Sequence, residues 1–397
     1  MTILFFRFFR FFGGVGLGLT LSVTPVYLVE VTNLDLRGML GVVPPLFTQA
    51  GILYTYVLGS FVDWRMLSLS GVSLGLLFII AVWFIPESPL YLASKAKFES
   101  AEKSLAWLGR EDDALKFFKE VQTDMNVFDT TLEQSWRQYI DPRVYKPFLT
   151  CLTLMFFFQA TGYNTILAYS LSIFHESGEG LDDNVLMGIK GSIILLSAVI
   201  ALGMARVCPR KRLLVSSCLG VSSSLLLLGV YYFIKENHYM DLGDWHFVPL
   251  LFLICLIIFF MIGFGGLAWT VMAEIMPAKV RKNGKLDNKE SFTNVLLFSQ
   301  VRSKLYPFTV AFTWFCSFGF NKTFPYFKTL IGLSGTFWGY AGISLIGSIF
   351  VIFGIPETKN KSSEEVAAFF NKSTISQSSS TQSLGLEAVI QKDLNVV

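Results

Sequence analysis

The sequence predicts an all-α, polytopic membrane protein with about nine transmembrane helices, and three observations carry that reading. Of its 397 residues, 53% are hydrophobic and only 15% are charged, a balance that soluble domains do not have. Apolar runs of roughly 20 residues, the length that crosses the hydrocarbon core, recur along the chain. No alternating barrel-type pattern is present, so the spans are helices that satisfy their own backbone groups in lipid.

The spans are expected near residues 5–27, 39–61, 67–85, 148–174, 187–205, 213–234, 247–275, 306–327 and 334–355. Between the third and fourth lies a polar segment, 87–147. There AEKSLAWLGREDDALKFFKEVQ places Leu105, Leu108, Leu115 and Phe118 at helical spacing, as in amphipathic helices lying under a membrane. Residues 371–397 are rich in Ser, Thr and Gln and read as disordered tail. The organisation is therefore three spans (1–86), a helical linker (87–147), six spans (148–355) and a tail (356–397).

Charge sets the orientation. Arg206, Arg210, Lys211 and Arg212 crowd one loop, whereas HESGEGLDDN and ENHYMDLGDW are acidic or nearly neutral. The positive-inside rule puts the basic loop, the linker and the tail in the cytosol, and an odd number of spans then leaves Met1 outside. No cleavable signal is evident in the N-terminal apolar run. The five cysteines lie in or beside spans without metal-ligand spacing and read as packing residues. No phosphate-binding loop, zinc motif or Cys/His cluster is seen, so neither a metal nor a cofactor is expected, nor nucleic acid as a partner.

Two internal repeats sharpen the picture. Glu30 and Arg37 end one span and begin the next turn, and Glu274 and Arg281 repeat the same separation later. A near-membrane carboxylate is costly unless paired, so Glu274 is expected to meet Arg210 or Lys211. PESP after the third span and PETK after the last place proline at a helix exit, followed by residues that cap what comes next.

Taken together, these residues resemble the sugar-porter branch of the major facilitator superfamily, and most of all insect facilitated trehalose and hexose transporters. The matching elements are VYLVEVTNLDLRGMLG, DWR, PESP, QATGYN, Gly265/Trp269/Glu274 and PETK, over nearly all of Arg10 to Val366. The resemblance implies a twelve-helix fold in two halves with substrate held near the midplane between them. Spans one to three here would then be family helices four to six, with the first three absent. It also implies a non-enzymatic, multi-pass plasma-membrane carrier whose partners are a small neutral sugar and the bilayer.

The stretch FFFQATGYNTILAYSLSIF, 156–174, carries the chemistry. A sugar is a ring of hydroxyls with small apolar faces, so its site needs fixed amides and an aromatic platform. Gln159 and Asn164 supply the amides, beside Thr161, but on an ideal helix five residues are about 140° apart. A break at Gly162 would turn both inward and act as a hinge. Trp269, with Phe260 on the same side of its helix, is the expected aromatic platform; Trp314 and Thr313 match a second family position. Trp64, Trp83 and Trp245 read as interfacial. Glu30, Arg37, Arg210, Lys211, Glu274 and Arg281 form the expected cytosolic charge network that gates the carrier.

The departures are specific. Phe158 and Pro45 stand where the family has polar residues, and Thr313 where it has Asn. Arg206 and Pro209 replace an expected Asp and Gly, and about twenty extra residues, 282–302, read as an atypical loop. A non-transporting sugar sensor or inactive fragment on the same scaffold is the alternative that these losses leave open; a membrane-embedded glycosyltransferase lacks the acidic pair it would need.

Overall fold

In the computed structural model the described residues are 2–32, 43–95, 97–109, 142–177, 182–239, 245, 247–276, 289–359, 361, 365–366 and 368–370. Among them every regular element is a helix. They fall into two compact units, Met1–Thr130 with Leu181–Val199, and Thr131–Gly180 with Ile200–Val397.

The first unit holds α1 (Thr2–Val31), α2 (Val43–Gly59), α3 (Trp64–Trp83), α4 (Pro89–Ser94) and α5 (Phe98–Trp107). Its apolar side chains face outward: Phe5, Phe8, Phe11, Leu69, Leu76 and Ile79 are all exposed, and α3 buries no residue. Such a surface is stable only against lipid or other helices, which fits α3's apolar length. The Tyr27 hydroxyl donates to the Pro86 carbonyl at 2.8 Å and ties α1 to the exit of α3. At that exit Pro86 ends the helix and Ser88 caps the next, accepting from the Tyr91 amide at 3.3 Å with Pro89 at the first helical position. Ser104 of α5 then donates to the Glu87 carbonyl at 2.7 Å. Leu105 is buried and Leu108 half-buried, whereas Leu115 and Phe118 lie outside the described residues.

The second unit holds α6 (Pro142–Ala160), α7 (Tyr163–Ala168), α8 (Ser170–Ser177), α10 (Arg210–Glu236), α11 (Val248–Phe260), a π-turn at Met261–Gly265, α12 (Gly266–Ile275) and α13 (Lys289–Gly354). Between α8 and α10, α9 (Asp183–Val207) begins in the first unit and ends in the second. The core of this unit is α10 against the arm of α13 beyond Gly332, where Leu225, Leu228, Tyr232 and Phe337 are buried. Gly229 lets the helices close up, since a Cβ there would lie 2.5 Å from the Trp338 indole. Ser222 donates to the Ala341 carbonyl at 2.9 Å across the same seam. Small residues and interhelical hydroxyl bonds are how helices associate where lipid removes the hydrophobic drive.

Two features differ from the sequence-based expectation. Residues 282–302, expected as a loop, are helical from Lys289 onward, while 282–288 lie outside the described residues. The reason is local: no Gly or Pro interrupts 289–306, so the helix runs back from the next span. The last two expected spans, by contrast, are parted by a single residue, Gly332, at φ 74° and ψ 175°. The Glu236 carboxylate sits over the restart, accepting from the Leu333 amide at 2.9 Å and the Ser334 hydroxyl at 2.6 Å. It thereby satisfies orphan donors of the new helix and complements its dipole.

Glu236→Ala should lower stability by about 1 kcal/mol, the usual worth of such a cap. A thiol-reactive dye that reports exposure of the buried Cys151 and Cys218 on heating checks it.

Candidate functional site

The chain from Phe157 to Ile166 builds the site. Here α6 stops at Ala160 and α7 starts at Tyr163, with Gly162 between them in the left-handed conformation at φ 74°, ψ 0°. That conformation is open to glycine and strained for other residues. The space imposes glycine as well, because a Cβ at 162 would lie 2.7 Å from the Tyr340 ring. Three backbone bonds bridge the break: Thr161 N–H donates to Phe157 O (3.0 Å), Gly162 N–H to Gln159 O (3.1 Å) and Ile166 N–H to Gly162 O (2.8 Å). The Thr161 hydroxyl adds a bond to Phe158 O at 3.1 Å. A membrane helix tolerates a break under that condition.

The break brings the two amides together. Asn164 Nδ2 donates to Gln159 Oε1 at 2.8 Å, with Gln159 only 3% exposed and Asn164 half-buried. Each amide has a second end, and among the described residues the Gln159 NH₂ group and the Asn164 oxygen carry no other bond. One donor group and one acceptor are thus held side by side, the complement of a neighbouring pair of hydroxyls.

Aromatic rings back this pair. Phe158 lies 5.4 Å from Phe260, 6.4 Å from Phe264 and 5.8 Å from Trp269, edge to face with the indole. Phe260 is itself stacked on Tyr163 at 3.7 Å and is 1% exposed. Phe260 therefore supports the site from behind, whereas the half-buried Trp269 retains accessible surface. Phe158, the departure from the family's polar residue, is buried among these rings. Thr313 is buried, its hydroxyl donating to the Thr309 carbonyl at 2.7 Å, and the adjoining Trp314 is 43% exposed. Both stand on the arm of α13 before Gly332.

One structural partner was not read from the sequence. Ser217 of α10 accepts from the Phe264 amide at 3.2 Å, within the π-turn that carries Trp269's helix. The only signal was the cluster Gly263, Gly265 and Gly266, which permits a π-turn and a close approach to α10.

At the other end of α10 the charges gather. Arg210 pairs with Glu274 through its guanidinium, and Arg210 Nη1 lies 3.5 Å from the Thr358 hydroxyl. Glu357 caps its own following segment, as expected, by accepting from the Lys359 amide (3.0 Å), and it also receives the backbone amides of Arg210 (3.0 Å) and Lys211 (3.1 Å). Pro209 at the N-cap of α10 offers no side-chain acceptor, and Arg206 replaces the expected acid, so the segment just after the last span supplies the carboxylate. Such a contact is worth up to about 2 kcal/mol when partly buried. Lys211 joins through its backbone amide, and Lys359 Nζ donates to the Arg206 carbonyl at 2.7 Å. The Glu30 side chain, Arg37 and Arg281 lie outside the described residues. Among the described residues no His, Cys, Asp and Glu group has the arrangement to hold a metal.

The family profile described as "Sugar (and other) transporter" matches residues 1–286 and 296–370. The facilitated trehalose transporter Tret1 of Bombyx mori is 33% identical over 89% of this chain and 66% of its own length. That of Drosophila grimshawi is 34% identical over 90% of this chain and 36% of its own. The chain thus spans two thirds or less of the curated relatives it matches. Among solved structures, the proton:xylose symporter XylE bound to 6-bromo-6-deoxy-D-glucose superposes with a TM-score of 0.67 at 23% identity, covering 91% of this chain and 73% of that one. The inward-open XylE from E. coli gives 0.67 at 22%, covering 91% and 72%. The fold is that of the major facilitator superfamily.

Gly162→Ala should destabilise the protein through two separable effects. In a Tyr340→Ala background its cost should fall by roughly 1–3 kcal/mol, the overlap with the ring. About 1–2 kcal/mol of left-handed strain should remain. A double-mutant cycle of thermal unfolding in detergent measures both.

Proposed function

Because the chain belongs to the sugar (and other) transporter family and is a multi-pass membrane protein, we propose that it carries a small neutral sugar of the trehalose or hexose class through the plasma membrane by alternating access. The observation that supports this most is the Gln159–Asn164 pair at the Gly162 break. The stretch 156–174 contains no Asp, Glu, Lys, Arg or His, which favours an uncharged ligand. The free amide donor and acceptor bind adjacent hydroxyls of the sugar, and Trp269 lies against its apolar face. Thr161 and Gly162 shape the bend, while Phe158 and Phe260 hold Trp269 in place.

Transport then needs a change of access and no covalent step. Gly162 is the hinge about which α7 moves while α6 stays packed. The Arg210–Glu274 pair, with Glu357 on the amides of α10, keeps the cytosolic side closed until the site is filled. The linker and the C-terminal tail lie in the cytosol, as the basic loops require. Neutral amides bind without taking up a proton, so the carrier is read as a uniporter. Thr313 and Trp314 contribute from the opposite helix as the site closes.

Uptake of radiolabelled trehalose and glucose into oocytes expressing the chain tests this reading. Expected is saturable uptake, with Gln159→Ala and Asn164→Ala each raising KM roughly two- to tenfold, the worth of one hydrogen bond to a neutral hydroxyl. Trp269→Ala should reduce uptake at least as much. Surface-expressed protein with no uptake of either sugar would contradict it.

A further inference from the structure

Outside this site, α9 carries a cation where lipid would disfavour one. Lys190 stands about 10 Å along α9 from its start at Asp183, inside an apolar span, and is only 7% exposed. A buried ammonium in a membrane helix is retained at a cost in stability and marks a function by default. Its Nζ lies 4.7 Å from the centroid of the Tyr56 ring on α2. Aromatic faces attract cations at this range, and desolvation strengthens the attraction.

The adjacent residue explains why the two helices come so near. A Cβ on Gly191 would lie 2.9 Å from Tyr56 Cδ2, 3.0 Å from Leu53 Cδ1 and 3.3 Å from the Leu53 Cα, so only glycine leaves room for α2 at this crossing. The contact belongs to one compact unit, in which Leu181–Val199 packs with the N-terminal residues although α9 itself runs on to Val207 in the other. A leucine at 190 would fill the space without the cost of a charge, so packing alone does not account for lysine.

We propose that Lys190 over Tyr56, seated by Gly191, is a cation–π clasp that holds the first part of α9 to α2 in one state of the transport cycle and releases in the other. It gives α9 a divided allegiance: anchored to α2 near Lys190 and to α10's unit beyond Ile200. The release step rests on the carrier reading above, whereas the clasp itself does not.

Disulfide trapping separates the two. With the five native cysteines replaced, Leu53→Cys on α2 is paired with Met187→Cys, one turn before Gly191 on α9, so that Gly191 keeps the helices close and a short bis-thiosulfonate linker bridges the two sulfurs through disulfides. Cross-linking of the purified chain should be slowed roughly three- to tenfold by Lys190→Met and by Tyr56→Leu. Lys190→Arg and Tyr56→Phe, which keep a cation and a ring, should retain the rate, and elution as a single monodisperse species certifies folding of each variant. Unchanged rates in the Met and Leu variants would overturn the clasp, whatever the uptake. In oocytes, the cross-link should stop sugar uptake and a reductant restore it; uptake that persists while cross-linked would overturn release. A chain that cross-links as expected but moves no sugar in any state would instead refute the carrier reading and leave the clasp standing.

Discussion

A helix that breaks inside a bilayer must pair every backbone group it frees, and that constraint governs this molecule at Gly162. The left-handed glycine answers part of it by closing bonds from Thr161, Gly162 and Ile166 onto carbonyls at 157, 159 and 162. The Tyr340 ring then fills the space that a side chain would occupy. Once that geometry is fixed, Gln159 and Asn164 fall together, Phe158 turns onto Trp269, and Tyr163 stacks on Phe260. The site is therefore a consequence of how one break is satisfied.

The same logic recurs at the helix ends. Gly332 parts the last two spans without a loop, and Glu236 receives the freed donors. Pro209 leaves the start of α10 without its own cap, and Glu357 arrives from the far end of the chain. In each place a carboxylate from a distant element stands at a helix N-terminus, where its charge complements the dipole and its oxygens accept from donors of the first turn. Such contacts fix the relative position of helices more sharply than packing of Leu on Leu, which lipid can imitate.

Much of this was legible in the sequence, for physical reasons that can be named. Apolar runs of span length gave the helices, because lipid admits little else. Gly162 between two amides announced the break, since no other residue takes that backbone so readily. The pairing of Arg210 with Glu274 followed from the cost of an unpaired charge near the membrane. What escaped was long-range: that Glu357 would cap α10, that Ser217 would anchor the π-turn, and that Lys190 would meet Tyr56. These contacts join residues far apart in the chain, and periodicity carries no information about them. The helix running back to Lys289 is hidden for the opposite reason: its polar composition resembles a loop although no Gly or Pro breaks it.

On this reading the bend at Gly162 makes a binding site for an uncharged sugar. The most direct measurement is a binding titration on the purified chain in lipid nanodiscs, following the fluorescence of Trp269 with the other tryptophans replaced by Phe. Expected is a saturable change with trehalose or a hexose, none with a charged sugar acid, and loss of the change in a Gln159→Ala, Asn164→Ala double variant. A folded protein whose Trp269 signal ignores every neutral sugar, or responds equally without the two amides, would contradict it.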